Sequence, residues 1–146
     1  MIIIIDTNIL ISACLNEKSE ISKLVKNHTG NIDFLIPDYA LEEINKHKLA
    51  LCKNTGYSIV QFDRLLYQCC ENASIFSVAD ISTDIFQQAA ELTRNIDIND
   101  NAFDSFSIAF DALIWTGDLK LIKGLKRSGF RKIISTKEFK DILKGL

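Results

Sequence analysis

Asp6 closes a run of four isoleucines in "MIIIIDTNIL", and Asp118 follows a second apolar run, "ALIW" (112–115), in "WTGD". Asp100 stands in "DIND", ahead of phenylalanines at helical spacing, and Glu43 stands in "YALEEINKHK". Carboxylates gathered in one crevice repel one another until a divalent cation joins them. An all-oxygen donor set suits Mg²⁺ or Mn²⁺ rather than zinc. The chain offers no softer set. It has two histidines, His28 and His47, and four cysteines, Cys14, Cys52, Cys69 and Cys70, with no CxxC spacing. It also lacks a nucleophile elbow, a Walker glycine loop and a Ser–His–Asp candidate. Phosphodiester hydrolysis assisted by a metal requires none of these, because the ion orients the phosphate, activates water and neutralises the leaving oxygen.

The elements that must position these acids alternate along the chain. "IIII" (2–5), "DFLI" (33–36), "SIFSV" (74–78), "ALIW" (112–115) and "KIIS" (132–135) are apolar runs of strand length. Segments at helical spacing lie between them. Ser19 caps "EISKLVKNH", Asp38 after Pro37 caps "YALEEINKHKLAL", and Ser82 or Thr83 opens "DIFQQAAELTRN". "SIVQ" (58–61) and "STKE" (135–138) read as capping boxes, and Phe103, Phe106 and Phe110 mark the buried stripe of a helix starting near Asp100. This alternation predicts a parallel sheet with helices on both faces, in a single domain spanning 1–146. Four consecutive isoleucines suit a central strand buried on both sides.

In such a sheet, ligands bind beyond the carboxyl ends of the strands. Asp6 and Asp118 are therefore expected in one crevice. Glu43, one and a half turns into the helix after the second strand, starts from the same side. Asp100 joins them if the fold brings its helix there.

The net charge of −2 conceals an asymmetry. Residues 1–119 hold 8 basic and 17 acidic side chains, and residues 120–146 hold 9 basic and 2 acidic ones. The basic segment reads either as a solvated helix face or as an electrostatic footprint for a phosphate backbone. No apolar window is long enough to span a membrane. The N-terminus lacks the basic region of a signal peptide, and the cysteines read as reduced packing thiols, so a cytoplasmic location is expected.

Taken together, "IIIIDTNILIS", "LEEI", "DINDNAF" and "IWTGD" resemble the PIN-domain family of metal-dependent nucleases, in order and over almost the whole chain. The resemblance implies a three-layer α/β/α sandwich around a mostly parallel five-stranded sheet. It implies catalytic roles for Asp6, Glu43, Asp100 and Asp118, with Glu42 as the alternative to Glu43. Asn8 and Thr116 match the family's supporting polar positions. The chain departs from the pattern at Asp104, where family members carry an aliphatic residue. Asp104 is an additional metal ligand beside Asp6, Asp100 and Asp118, the third ligand in place of Asp100, or a solvated residue at a helix edge. Asp97 and Asp111 are expected to be solvated.

The resemblance further implies a Mg²⁺- or Mn²⁺-dependent endoribonuclease, either the toxin of a type II toxin–antitoxin pair or a stand-alone RNA-processing nuclease. RNA, a small antitoxin and a second copy of the chain are the implied partners. Apolar residues in 58–94, among them Ile59, Phe62, Leu65, Leu66, Ile85 and Phe86, are candidates for a helical homodimer interface. Two other classes fit less of the sequence. A receiver-like signalling domain would use Asp80 and Lys137, but Thr7 stands where its second acid belongs. An idle interaction module has no need of intact acids at all four positions.

Overall fold

A computed structural model describes residues 1–27, 30–92 and 101–146, with the backbone alone at 92 and 101–103. Asp100, Asp97 and His28 lie outside the described residues, and so does the side chain of Phe103.

Five strands, β1 (Ile2–Ile5), β2 (Asp33–Pro37), β3 (Ala73–Phe76), β4 (Leu113–Trp115) and β5 (Ile133–Ile134), form one sheet. All pair in parallel, in the order β3-β2-β1-β4-β5. The helices are α1 (Thr7–Leu15), α2 (Glu20–Lys26), α3 (Asp38–Thr55), α4 (Ile59–Cys70), α5 (Thr83–Leu92), α6 (Asn101–Phe110), α7 (Leu119–Arg127) and α8 (Thr136–Lys144).

The central place of β1 follows from its side chains. Successive residues of a strand point to opposite faces, and all of Ile3, Ile4 and Ile5 are fully buried. Ile3 and Ile5 join a core with Ile9 and Leu10 of α1, Phe62 of α4 and Phe139 of α8. Ile4 joins a second core with Phe106 of α6 and Leu121 and Leu125 of α7. The result is three layers, helix on sheet on helix.

The local stops are chemical. Ser19, Ser58 and Ser135 each accept a hydrogen bond from the backbone amide three residues on. Only at Ser135 is the reciprocal bond present, from its own amide to Glu138 Oε2 at 2.8 Å. At the end of α3, Gly56 takes the left-handed conformation (φ 75°) that a side chain would resist, and its amide closes onto the Cys52 carbonyl.

The strand order excludes the receiver-like reading. That fold places β1 between β2 and β3, whereas here β1 lies between β2 and β4. The order also creates a switch point. The chain leaves β1 toward β2 on one side and later returns to β4 on the other. A crevice therefore opens beyond the carboxyl ends of β1 and β4.

Candidate functional site

Asp6 sits at that crevice because β1 ends there. Its amide still pairs with the Trp115 carbonyl of β4 at 3.1 Å, and its carbonyl accepts from the first turn of α1. Asp6 is thus the N-cap of α1, but its side chain does not cap the helix. The carboxylate, only 8% exposed, turns toward the loop after β4.

There it meets two side chains. Asn8 Nδ2 donates to Asp6 Oδ2 at 2.7 Å, and Thr116 Oγ1 donates to the same oxygen at 2.5 Å. The Thr116 hydroxyl in turn accepts from Asn8 Nδ2 and from the Asp118 amide, each at 3.1 Å. Asn8 Oδ1 accepts from the Gly117 amide at 2.9 Å. Asp6, Asn8, Thr116, Gly117 and Asp118 therefore form one connected network across the switch point. Thr116 is fully buried, so its bond to Asp6 is shielded from competing water.

Gly117 was not singled out in the sequence. A Cβ at this position would stand 3.3 Å from Asn8 Oδ1. The absent side chain lets the β4 loop close on Asn8. The signal available was glycine between two candidate site residues in "WTGD".

Asp118 is the N-cap of α7. Its Oδ1 accepts from the amides of Lys120 and Leu121 at 2.9 and 3.0 Å. These bonds fix the carboxylate at the positive end of the helix. Among the described residues, Oδ2 carries no hydrogen bond.

Asp104 lies in the first turn of α6, which packs against β1 and β4. It is fully buried, as are its neighbour Ser105 and Ser107. The reading of Asp104 as a solvated helix-edge residue is therefore overturned. A buried carboxylate is costly and belongs with a functional or paired group. Since α6 feeds β4 at its amino end, its first turn points back toward the carboxyl ends of the strands. Glu43 is exposed on α3, on the turn after Ala40, as is Glu42. It stands outside the hydrogen-bonded network. Asp111, by contrast, is as exposed as expected and pairs with Lys132.

The donor set fits a hard cation. Asp6 and Asp118 present carboxylate oxygens in the network, and no histidine or cysteine takes part in it. Among the described residues, no three acidic, histidine or cysteine side chains close a cage by themselves. Magnesium does not require one, since it is commonly held by one or two carboxylates with waters and substrate phosphates completing the shell.

An α/β domain with carboxylates fixed at the switch point of a parallel sheet is the class this geometry defines. The chain belongs to the PIN-domain family, whose sequence pattern matches residues 4–138. Among solved structures, VapBC2 from Rickettsia felis, bound to a DNA fragment from its promoter, is similar in fold. The TM-score is 0.65 at 20% identity, covering 92% of this chain and 98% of that one. VapBC-1 from nontypeable Haemophilus influenzae is similar too, with a TM-score of 0.64 at 17% identity over 92% and 98% of the two chains. No curated protein matches the sequence. At such identities the likeness shows a shared fold.

Proposed function

We propose that this chain is a metal-dependent endoribonuclease acting as the toxin of a type II toxin–antitoxin pair. The observation that carries the reading is the network joining Asp6 through Asn8 and Thr116 to Asp118. It holds two carboxylates at the switch point, in a chain of the PIN-domain family. Asp6, Asp100 and Asp118, with Asp104, would hold Mg²⁺ or Mn²⁺, and Glu43 would complete the acidic edge. A divalent cation there supplies polarisation and charge neutralisation for a phosphodiester.

The protein's own part is positional. Asn8 and Thr116 fix the orientation of Asp6, and the α7 amides fix Asp118. The toxin role is supported by the two VapBC fold neighbours. It brings a small antitoxin as partner and the cytoplasm as location. Among the described residues, no helix is long and apolar enough to cross a membrane.

A homodimer is part of the same reading. Phe62 and Leu65 are spent in the chain's own core, whereas Ile59, Val60 and Tyr67 of α4 remain exposed.

Asp6→Asn tests the function. It preserves shape and hydrogen bonding but removes the charge, so manganese-dependent RNA cleavage should vanish while the fold persists. Cleavage at the wild-type rate by the pure variant would sink the assignment.

A further inference from the structure

The basic segment 120–146 carries nine Lys and Arg side chains, but the fold cancels several of them. Lys126 pairs with Glu138 at 2.6 Å, Lys140 with Glu20 at 2.6 Å, and Lys144 with Asp141 at 2.9 Å. Lys132 pairs with Asp111. Among the described residues, Lys120, Lys123, Arg127, Arg131 and Lys137 have no such partner.

Three of these five share one helix. Lys120, Lys123 and Arg127 are exposed, while Leu121, Ile122 and Leu125 bury the opposite side of α7. Positions three and seven apart fall on one face. The three cations therefore form a line about 10 Å long by the rise of a helix. The line starts two residues after Asp118, the carboxylate that caps α7.

A groove of about 500 Å³ runs beside this line, with Lys123, Lys126 and Arg127 along it and Ser135 and Glu138 of α8 opposite. Leu119, 62% exposed, and Ile122 give it an apolar floor. Glu138 does not repel an anion strongly. One of its oxygens is matched by Lys126, and the other accepts from the Ser135 amide and hydroxyl.

We propose that Lys120, Lys123 and Arg127 are a phosphate track, which carries the single-stranded RNA flanking the scissile bond along the groove between α7 and α8. The proposal rests on the ribonuclease reading. A row of exposed cations neutralises successive phosphates without reading bases. Its start at Asp118 lets one strand pass from the carboxylates onto the helix. Arg131, which precedes β5 at the amino end of the sheet, lines a different cleft with Gln88 and Glu91. It is not part of the track.

The test compares two substrates of the intact protein, a dinucleotide and a single-stranded RNA long enough to reach past α7. For the double variant Lys123→Gln with Arg127→Gln, KM on the long RNA rises, and the rate on the dinucleotide is unchanged. Two lost contacts make the log–log salt dependence shallower by about 1.4, so a tenfold rise in salt shrinks the wild-type advantage about 25-fold. The double variant Lys137→Gln with Lys144→Gln makes the same charge change on α8 and leaves long-RNA cleavage as in wild type. Equal losses in the two double variants, an equal loss on the dinucleotide, or no loss at all would overturn the track. Oligoglutamate that displaces long RNA as well as RNA of the same charge does would reassign the face to an acidic protein partner. Wild-type protein inert toward both substrates would sink the ribonuclease reading itself, and the track with it.

Discussion

Thr116 Oγ1 lies 2.5 Å from Asp6 Oδ2 and ties the loop after β4 to the end of β1. The same hydroxyl accepts the Asp118 amide, so one buried side chain sets the position of two carboxylates. Thr116→Val keeps the shape and removes the hydroxyl. It leaves an amide and a carboxylate oxygen short of a partner, at about 1–3 kcal/mol of stability. Metal affinity should fall about 10–100-fold, as for other groups that orient a ligand, and Thr116→Ser should restore it. Manganese titration of the three proteins, with thermal unfolding alongside, checks both effects. Unaltered binding in Thr116→Val would show that the hydroxyl positions nothing.

Gly117→Ala probes the same network from its backbone side. A Cβ at 3.3 Å from Asn8 Oδ1 forces Asn8 to yield by a few tenths of an ångström. Asn8 also donates to Asp6, so the displacement reaches the carboxylate. The expected result is a several-fold lower cleavage rate with a stability change of less than about 1 kcal/mol. A large loss of stability with full specific activity would contradict it.

The sequence showed what depends on neighbours along the chain. The unbroken isoleucine run at 2–5, the caps at Ser19 and Ser135, and Asp6 and Asp118 at strand ends are all local patterns. Two strand boundaries differ from the apolar runs for local reasons too. Ser77 turns the chain by accepting from the Ala79 amide, which stops β3 at Phe76. Asp111 takes a positive φ of 52°, and Ala112 bonds back to Ser107, so β4 begins at Leu113. Features set by distant partners were not legible. The burial of Asp104 arises from α6 packing on β1 and β4. The use of Gly117 requires Asn8, and the loss of Lys140 and Lys132 from the basic surface requires Glu20 and Asp111.

Glu138 predicts a pH signature away from the site. The hydrogen bond from Lys126, with further bonds from Ser135, holds its carboxyl well below the usual carboxylate range, at about 2. A lowered folded value adds stability that is complete above the unfolded value of about 4.3 and lost as pH falls toward 2. The side chain is 44% exposed, so solvent screening limits the contribution to about 1 kcal/mol. Glu138→Gln should therefore be less stable than wild type at pH 7. The difference should shrink through pH 4 and vanish near pH 2. Urea unfolding at several pH values measures it, and a gap that widens on acidification would refute the Lys126 and Ser135 bonds as its cause.

Under the proposed function Asp100 and Asp104 have different parts in holding the metal, and their variants should behave differently. Asp100 is assigned by "DIND" and its spacing to Phe103, which match the family pattern. Asp104 is the residue that departs from the pattern, yet it is fully buried in the first turn of α6. A carboxylate kept there against its desolvation cost belongs with a paired or functional group, and under the proposed function Asp104 helps to hold the cation. Asp100→Asn should remove RNA cleavage at every manganese concentration. Asp104→Asn should weaken manganese binding about 10–100-fold, with cleavage restored by excess metal. Asn is the appropriate replacement, because it fills the same buried volume and isolates the charge. Direct manganese binding measured beside cleavage separates loss of affinity from loss of turnover. If Asp104→Asn is inactive at saturating metal and Asp100→Asn is rescued by it, the buried acid is the primary ligand and the order of the two is reversed.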